Sequence, residues 1–515
     1  MPEEVKPVLP GRFTVDHIAG IMVGDLPIAK TNLQELEITK AIDDHARIKI
    51  VAMIDDGEKP QWQRVTGLDI TIKITTIDGK NLFFGIATHY AVGELVDKKG
   101  SRSVVTVEGA SMTHQLDIFL KKRSFMDKGL TYKEVFERVL ADYGVAIHHH
   151  LIPKELKTGQ FFLQYNETDW TFLRRLASRC QTWLIPDAAS EKISFALGLF
   201  DTEFRGDITL YDPHFWVRRE TVDATGPDGR RGSADNVCNI YYEVRSVDGY
   251  LLELGEKLQV GSRPLMVWQA KLCFEQGRFV TYYLMVDQGK NATTLWNDEL
   301  VGLALAGTVM KAERDTIEID LQIDKDYRAN EKMDKGGQAE ARKESCRFTY
   351  STIYSAEENT GLYWMPELND TVFLYFPTNN EQDAYVFGSV RRGAKIEDKN
   401  NKWQKALKIG DPNVRYFRTG GKEIMFSPEE IRITVEGKGS DNKDFKYYVT
   451  LHDERGIEIY STKDVNVFAK RDINLNSEAG TIAIQAGGKI NLACQESSII
   501  MNGDTHIKGK TIRTN

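Results

Sequence analysis

Between Ile457 and Ile507 the chain repeats one hydropathy pattern, in which two apolar residues flank a mostly polar one and a turn follows. The triplets are Ile457-Glu458-Ile459, Val465-Asn466-Val467, Ile473-Asn474-Leu475, Ile482-Ala483-Ile484, Ile490-Asn491-Leu492 and Ile499-Ile500-Met501, with a weaker echo at Ile507-Lys508-Gly509. Their first members lie 8, 8, 9, 8, 9 and 8 residues apart. Each triplet follows the strand period of two, so its outer members face one side and its middle member the other. Gly456, Ser461, Asn476, Gly480, Gly487, Gly488, Gly503 and Gly509 supply the turns between them.

Strands of three residues cannot bury an apolar face alone, and repeat architectures solve this by stacking units around a shared interior. One arrangement is a coil of a single chain, whose turns take about 18 or more residues, with each repeat forming a third of a turn. The other winds three copies around one axis, with each chain giving one strand per layer. About seven repeats make only two or three coils of one chain, close to the minimum of about three stacked units, and this favours the trimer. A calcium-binding nonapeptide roll would need Gly-Gly-x-Gly-x-Asp, of which only Gly487-Gly488 is present. In the trimer, Ile457, Ile459, Val465, Val467, Ile473, Leu475, Ile482, Ile484, Ile490, Leu492, Ile499, Met501 and Ile507 form the core.

Upstream, the period of two dominates. Arg47-Ile48-Lys49-Ile50-Val51 and Leu68 to Ile74 alternate, and Ile77-Asp78-Gly79-Lys80 predicts a hairpin before Leu82-Phe83-Phe84, so residues 12–110 are expected to form a β-barrel. The pattern then turns helical. Thr131 and Glu134 read as a capping box ahead of a stripe of Val135, Phe136, Val139, Leu140 and Tyr143, with Gly144 as the stop. Phe161 to Tyr165 reads as a strand running into a second helix, capped by Asn166 and carrying Trp170, Leu173, Leu176 and Ala177. Strands return over 193–300, with Gly226 to Ser233 as an exposed loop. A third strand block runs from Gly307 to Gly393; there Asn369-Asp370, with alternating flanks, predicts a hairpin in a small barrel of the OB type.

Composition adds exclusions more than assignments. The 515 residues are 41% hydrophobic and 28% charged with net charge −8, which speaks against a dedicated nucleic-acid binder. The last 105 residues balance 15 Lys/Arg against 15 Asp/Glu and offer no footprint for phosphate. Met1 to Gly20 lacks the apolar core of a signal peptide, and no run of about 18 apolar residues occurs. Cys180, Cys238, Cys273, Cys346 and Cys494 are scattered and odd in number, as expected of reduced thiols made in a cytoplasm.

Catalytic signatures are absent: the chain has no Gly-x-Ser-x-Gly elbow, no His-Glu-x-x-His helix and no phosphate-binding Gly-x-x-x-x-Gly-Lys-Ser/Thr loop. Asp324-Lys325-Asp326 lacks the other ligands of a calcium loop and reads as a solvated turn. His148-His149-His150 cannot all face one ion from a strand and reads as the polar start of one. No catalytic residue, cofactor or metal ligand is assigned.

Three segments in order, Phe162 to Arg179, Trp364-Met365-Pro366 through Gly388-Ser389-Val390, and the repeats, resemble VgrG proteins and the hub and spike proteins of contractile phage tails. The resemblance spans essentially the whole chain. It implies a mainly β, multidomain fold: hub β-barrel 1 (1–120), an α+β segment (121–200), hub β-barrel 2 (201–305), an OB-fold collar (306–393), a linker (394–411) and a triple-stranded intertwined β-helix spike (412–515). It also implies a homotrimer whose six barrels form a pseudo-sixfold ring matched to a tail tube, in contact with baseplate proteins and indirectly with the contractile sheath. Sheath contraction would drive the needle against a target membrane, with no enzyme activity and no nucleic acid. The 394–411 interval is too short for the lysozyme domain of some phage spikes, and no effector extension is expected after Asn515. At the tip, iron-binding relatives pair histidines as His-x-His, whereas this chain offers only His506, so a separate PAAR-type tip protein is expected to cap the open strand edges. The product would be made in the cytoplasm and act in an assembled particle outside the cell or at the target envelope. A trimeric glycan-binding tail adhesin stays open as an alternative. A β-helix polysaccharide-processing enzyme is weaker, because the outward triplet residues form no carboxylate cluster.

Overall fold

The computed structural model describes residues 13–65, 70–97, 100–144, 146–150, 152–198, 218–221, 238–246, 251–260, 263–287, 292–324, 344–353, 364–390, 413–501 and 510–511. Two compact units are present, Met1–Arg392 and Gly393–Asn515. The chain is mainly β and multidomain, as the alternation predicts, and includes a closed barrel. Among the described residues no helix is long and apolar enough to cross a membrane.

In the first unit one 12-stranded sheet runs through both hub intervals. Strand Leu33–Ala41 pairs with Arg47–Met53 on one side and with Arg263–Glu275 on the other, setting Leu272 opposite Ile38. The two strand-rich blocks are therefore joined edge to edge. Period-two alternation fixes which face of a strand is buried but not which distant strand it meets. Two separate cores sit on this sheet. One gathers Ile18, Leu36, Ile50, Ile72 and Phe83, and the other Trp183, Leu258, Val267, Tyr283 and Met285. The predicted hairpin forms between Thr71–Thr76 and Asn81–Asp97, with Gly79 at φ +80°. At Gly109 the neighbouring chain comes so close that a Cβ would stand 2.6 Å from the Ile86 carbonyl oxygen, so only glycine fits there.

The α+β segment follows its local signals with one shift. Thr131 caps helix Tyr132–Leu140: its Oγ1 accepts from Glu134 N at 3.2 Å, while Glu134 Oε2 accepts from Thr131 N at 2.7 Å. The predicted stripe of Val135, Phe136, Val139 and Leu140 is buried. The second helix, Asp169–Arg179, is capped by Thr168 rather than Asn166. Strand Phe162–Glu167 stays paired to Lys121–Phe125 as far as Glu167 opposite Lys121, with a register shift between Tyr165 and Glu167. Asn166 occupies this bulge at φ +49° and cannot cap a helix that the sheet has not yet released.

Strands Ala304–Glu313, Thr316–Leu321, Phe348–Ser351, Tyr385–Val390 and Thr371–Tyr375 close into a barrel in that order. Phe348–Ser351 and Tyr385–Val390 run parallel and the other pairs antiparallel, the five-stranded topology of an OB-fold. Asn369 does turn the chain, at φ +71°, but the described residues before it, 364–368, form no strand. Thr371–Tyr375 instead pairs with Ala304–Glu313 and Tyr385–Val390, which corrects the predicted hairpin. Asp324 is likewise no solvated turn: its carboxylate accepts from Ser124 N at 2.8 Å and from Ser124 Oγ at 2.5 Å, tying the barrel to the α+β segment. Lys325 and Asp326 lie outside the described residues.

The barrel core is shared with the α+β segment. Met126, Phe161 and Leu163 are buried among Val309, Ile319, Val372 and Phe376, and the Phe161 ring meets Phe348 edge-on at 5.3 Å. Phe161→Ala should cost about 3–5 kcal/mol, since the barrel cannot collapse onto the space left by a side chain donated from outside it. Chemical denaturation followed by near-UV circular dichroism would measure the loss, and a change within about 0.5 kcal/mol would contradict the shared core.

Candidate functional site

The second unit opens with a five-stranded antiparallel meander: Arg415–Thr419, Lys422–Phe426, Glu430–Lys438, Asp444–His452 and Gly456–Ser461. Its register puts Phe417, Ile424, Ile433, Val449 and Ile459 in one cross-strand row, and Phe426, Ile431, Leu451 and Ile457 in the next. Both rows share a face. The opposite face carries Arg418 paired with Glu423 and Arg432 paired with Glu430, while Tyr448 donates to Glu458 at 2.9 Å. A sheet with one polar and one apolar face normally turns the apolar one to a core. Here the apolar face is the open one: Phe417 is 48% exposed, Ile433 46% and Leu451 45%.

The triplet residues continue this exposure. Ile457, Ile459, Val465, Val467, Ile473, Leu475, Ile482, Ile484, Leu492 and Ile499 are between 50% and 73% exposed, and Ile490 is half-buried. Residues 464–469, 472–477 and 481–486 pair with no other strand among the described residues, and the chain bends at 462–463, 470–471, 478–480 and 487–488. The bends begin at the same intervals of eight or nine residues as the triplets. Ile457 and Ile459 belong to the last meander strand, and Ile490–Cys494 pairs with Ser497–Met501, setting Ile490 opposite Met501. His506 and Ile507 lie outside the described residues, as do the 394–411 linker and the Gly226 to Ser233 loop.

A second constellation lies in the first unit, within the Phe162 to Arg179 segment. Arg175 is 1% exposed; its Nε and Nη2 donate to the two Glu167 oxygens at 2.9 and 2.8 Å, and Nη2 also reaches the Leu163 carbonyl. Its Nη1 donates to Glu381, which follows barrel strand Thr371–Tyr375, and Arg179 reaches the other Glu381 oxygen at 3.5 Å. Burial disfavours the Arg175 charge, yet Glu381 and Glu167 outweigh it and raise its pKa. Arg179 is pushed down to about 10, by burial and secondarily by Arg175, and remains a cation at neutral pH while lying over the Trp296 ring at 3.6 Å. Beside this group, Asp169 is fully buried and accepts from Arg123, from Gln164 at 3.0 Å and from Tyr143 at 2.7 Å. These charges are matched and hydrogen-bonded, which suits a joint between domains rather than a reaction centre. Burial also pushes the Cys180 thiol up to about 12, removing it as a nucleophile.

The histidine run sits on strand Ala146–His150, parallel to Ser194–Leu197. Its side chains lie outside the described residues. Among the described residues the fold assembles one metal-type cluster, His45, His114 and Asp117, whose ligand atoms lie within 4.8 Å of one another. The sequence offered no motif for it, because His45 lies 69 residues before its nearest partner and neither 45–114 nor 114–117 is a recognised ligand spacing on its own.

Comparison with known proteins agrees with this architecture. Residues 39–181 match the family described as phage tail baseplate hub (GPD). The Francisella PdpA–VgrG complex in its lidded form is similar at TM-score 0.51 and 10% identity, covering 86% of this chain and 80% of that one. Its half-lidded form gives TM-score 0.50 and 10% identity, covering 87% and 88%. The E. coli c3393 protein, a component of the type VI secretion system, is aligned at TM-score 0.46 and 12% identity, covering 72% and 99%. No curated protein sequence matches the chain.

Arg175→Ala should destabilise the first unit by about 3–5 kcal/mol, because it leaves Glu167 buried without its cation and Glu381 with only the 3.5 Å contact to Arg179. A double-mutant cycle with Glu381→Gln should show a coupling energy of about 0.5–3 kcal/mol, and strict additivity would mean that the two residues do not act as a pair.

Proposed function

We infer that this chain, which belongs with the VgrG and phage baseplate-hub proteins, works as the trimeric hub and spike of a contractile injection machine. The observation that carries the reading is the open apolar face of the second unit. Each triplet side chain left half or more exposed forgoes on the order of 1 kcal/mol of burial, and apolar surface this continuous is an interaction surface. The occupant is two further copies of the same chain. The repeats are equivalent along the sequence, and the bends recur in step with them, so copies related by a threefold axis present matching strands at every layer. A partner of different sequence would have to reproduce the same uneven series of spacings.

In the trimer, inter-chain pairing satisfies the backbone groups of the unpaired segments and produces a stiff needle. The hub sheets join it to the tail tube and baseplate, and the OB barrel forms the collar between them. Force from a contracting sheath reaches a small area of target envelope through the needle, which punctures it mechanically. The chain acts outside the cell that made it, as part of the particle. A PAAR-type tip protein covers the last strand edges, and the subunit itself performs no catalysis.

Light scattering on the purified full-length protein should give a mass near three times the 58.5 kDa of one chain. Ile433→Asp with Ile459→Asp should shift it to one chain while leaving first-unit unfolding unchanged, and a wild-type monomer would sink the reading. Cryo-electron microscopy of the trimer alone should show a blunt apex, whereas a self-closed point would remove the need for a tip protein.

A further inference from the structure

The first unit contains a group of side chains that the assembly reading does not use. His45 lies in the turn between strands Leu33–Ala41 and Arg47–Met53, and His114 and Asp117 lie in the 3-10 turn Met112–Asp117. We propose that His45, His114 and Asp117 form a binding site for a divalent transition metal of the zinc class, stapling the turn between strands Leu33–Ala41 and Arg47–Met53 to the 3-10 turn Met112–Asp117.

The distances fit a metal better than a hydrogen bond. His45 Nε2 and Asp117 Oδ2 are 3.4 Å apart, longer than the roughly 2.7–2.9 Å of a charge-assisted hydrogen bond. Two ligands of a tetrahedral ion with bonds of about 2.1 Å stand about 3.4 Å apart. His114 has its nearest ring nitrogen within 4.8 Å of the other two ligand atoms, so closing on an ion takes a side-chain movement of about 1 Å. Two imidazoles and one carboxylate are a donor set suited to zinc and its neighbours, with the fourth position left for water.

The surroundings orient the ligands as a metal site requires. His45 is 3% exposed and its Nδ1 lies 2.9 Å from Thr113 Oγ1, itself fully buried and 2.9 Å from Ser111 Oγ. With the proton on Nδ1 directed to Thr113, the Nε2 lone pair faces Asp117. The other Asp117 oxygen, Oδ1, accepts from Thr168 Oγ1, the cap of helix Asp169–Arg179. Trp170 lies against His45 with ring centroids 4.6 Å apart, and its buried Nε1 has no hydrogen-bond partner.

The test uses full-length protein stripped with chelator, titrated with Co²⁺ by visible absorption and then displaced with Zn²⁺. The expected result is one ion per chain with the strong visible band of four-coordinate cobalt, and a melting temperature that rises with Zn²⁺ and falls again with chelator. His114→Ala and Asp117→Asn should abolish the band while keeping the far-UV spectrum. Thr113→Val, which removes a positioning residue, should weaken binding by about 10- to 100-fold. A variant with His148→Gln, His149→Gln and His150→Gln should bind as wild type. The proposal is overturned if no band forms, if the band survives in His114→Ala and Asp117→Asn, or if it is lost only when the histidine run is replaced. None of these readouts depends on oligomeric state, so failure here leaves the trimer reading intact.

Discussion

The architecture of the first unit depends on the buried guanidinium of Arg175. It holds the strand before its own helix through Glu167 and the Leu163 carbonyl, and it holds the OB barrel through Glu381. Arg179 adds a second cation to Glu381 and lies over Trp296 in the segment leading into the barrel. Charges removed from water repay desolvation only with full hydrogen bonding, so this arrangement tolerates little change in the angle between helix and barrel. Phe161, Met126 and Leu163 then fill the barrel core from outside, and the joint becomes both polar and apolar. Such a joint fixes the helix and the barrel of the first unit in one orientation.

The second unit obeys the opposite logic. The apolar residues of its sheet are left half-exposed or more open among the described residues, and its ion pairs lie on the other face of the sheet. Apolar surface this continuous marks an interaction surface. Among the described residues the first unit buries its cores within one chain, whereas the second leaves this face open. On the trimer reading proposed above, the open face of the second unit is what drives assembly.

Much of this was legible from local pattern. The triplet spacing matches the bends, the Thr131–Glu134 box caps its helix, and the third strand block closes as an OB-fold. These features depend on residues within a few positions of one another. Readings failed where distant backbone intervened. Asn166 lost the helix cap to Thr168 because Glu167 is still paired with Lys121. The strand after Asn369 has partners on either side that exclude a local hairpin, and Asp324 is drawn to Ser124, 200 residues away.

By itself the sequence determined the strand-rich character of the chain, its helix starts and the repeating face of its tail, because each follows from side-chain period and local hydrogen bonding. Only the tertiary structure decided that the two hub blocks share one sheet through Leu33–Ala41 and Arg263–Glu275, that Arg175 meets Glu381, and that His45 meets His114 and Asp117. Those contacts join segments whose separation leaves no periodic trace. They are set by how whole sheets and helices pack, and that is a property of the folded chain rather than of any window along it.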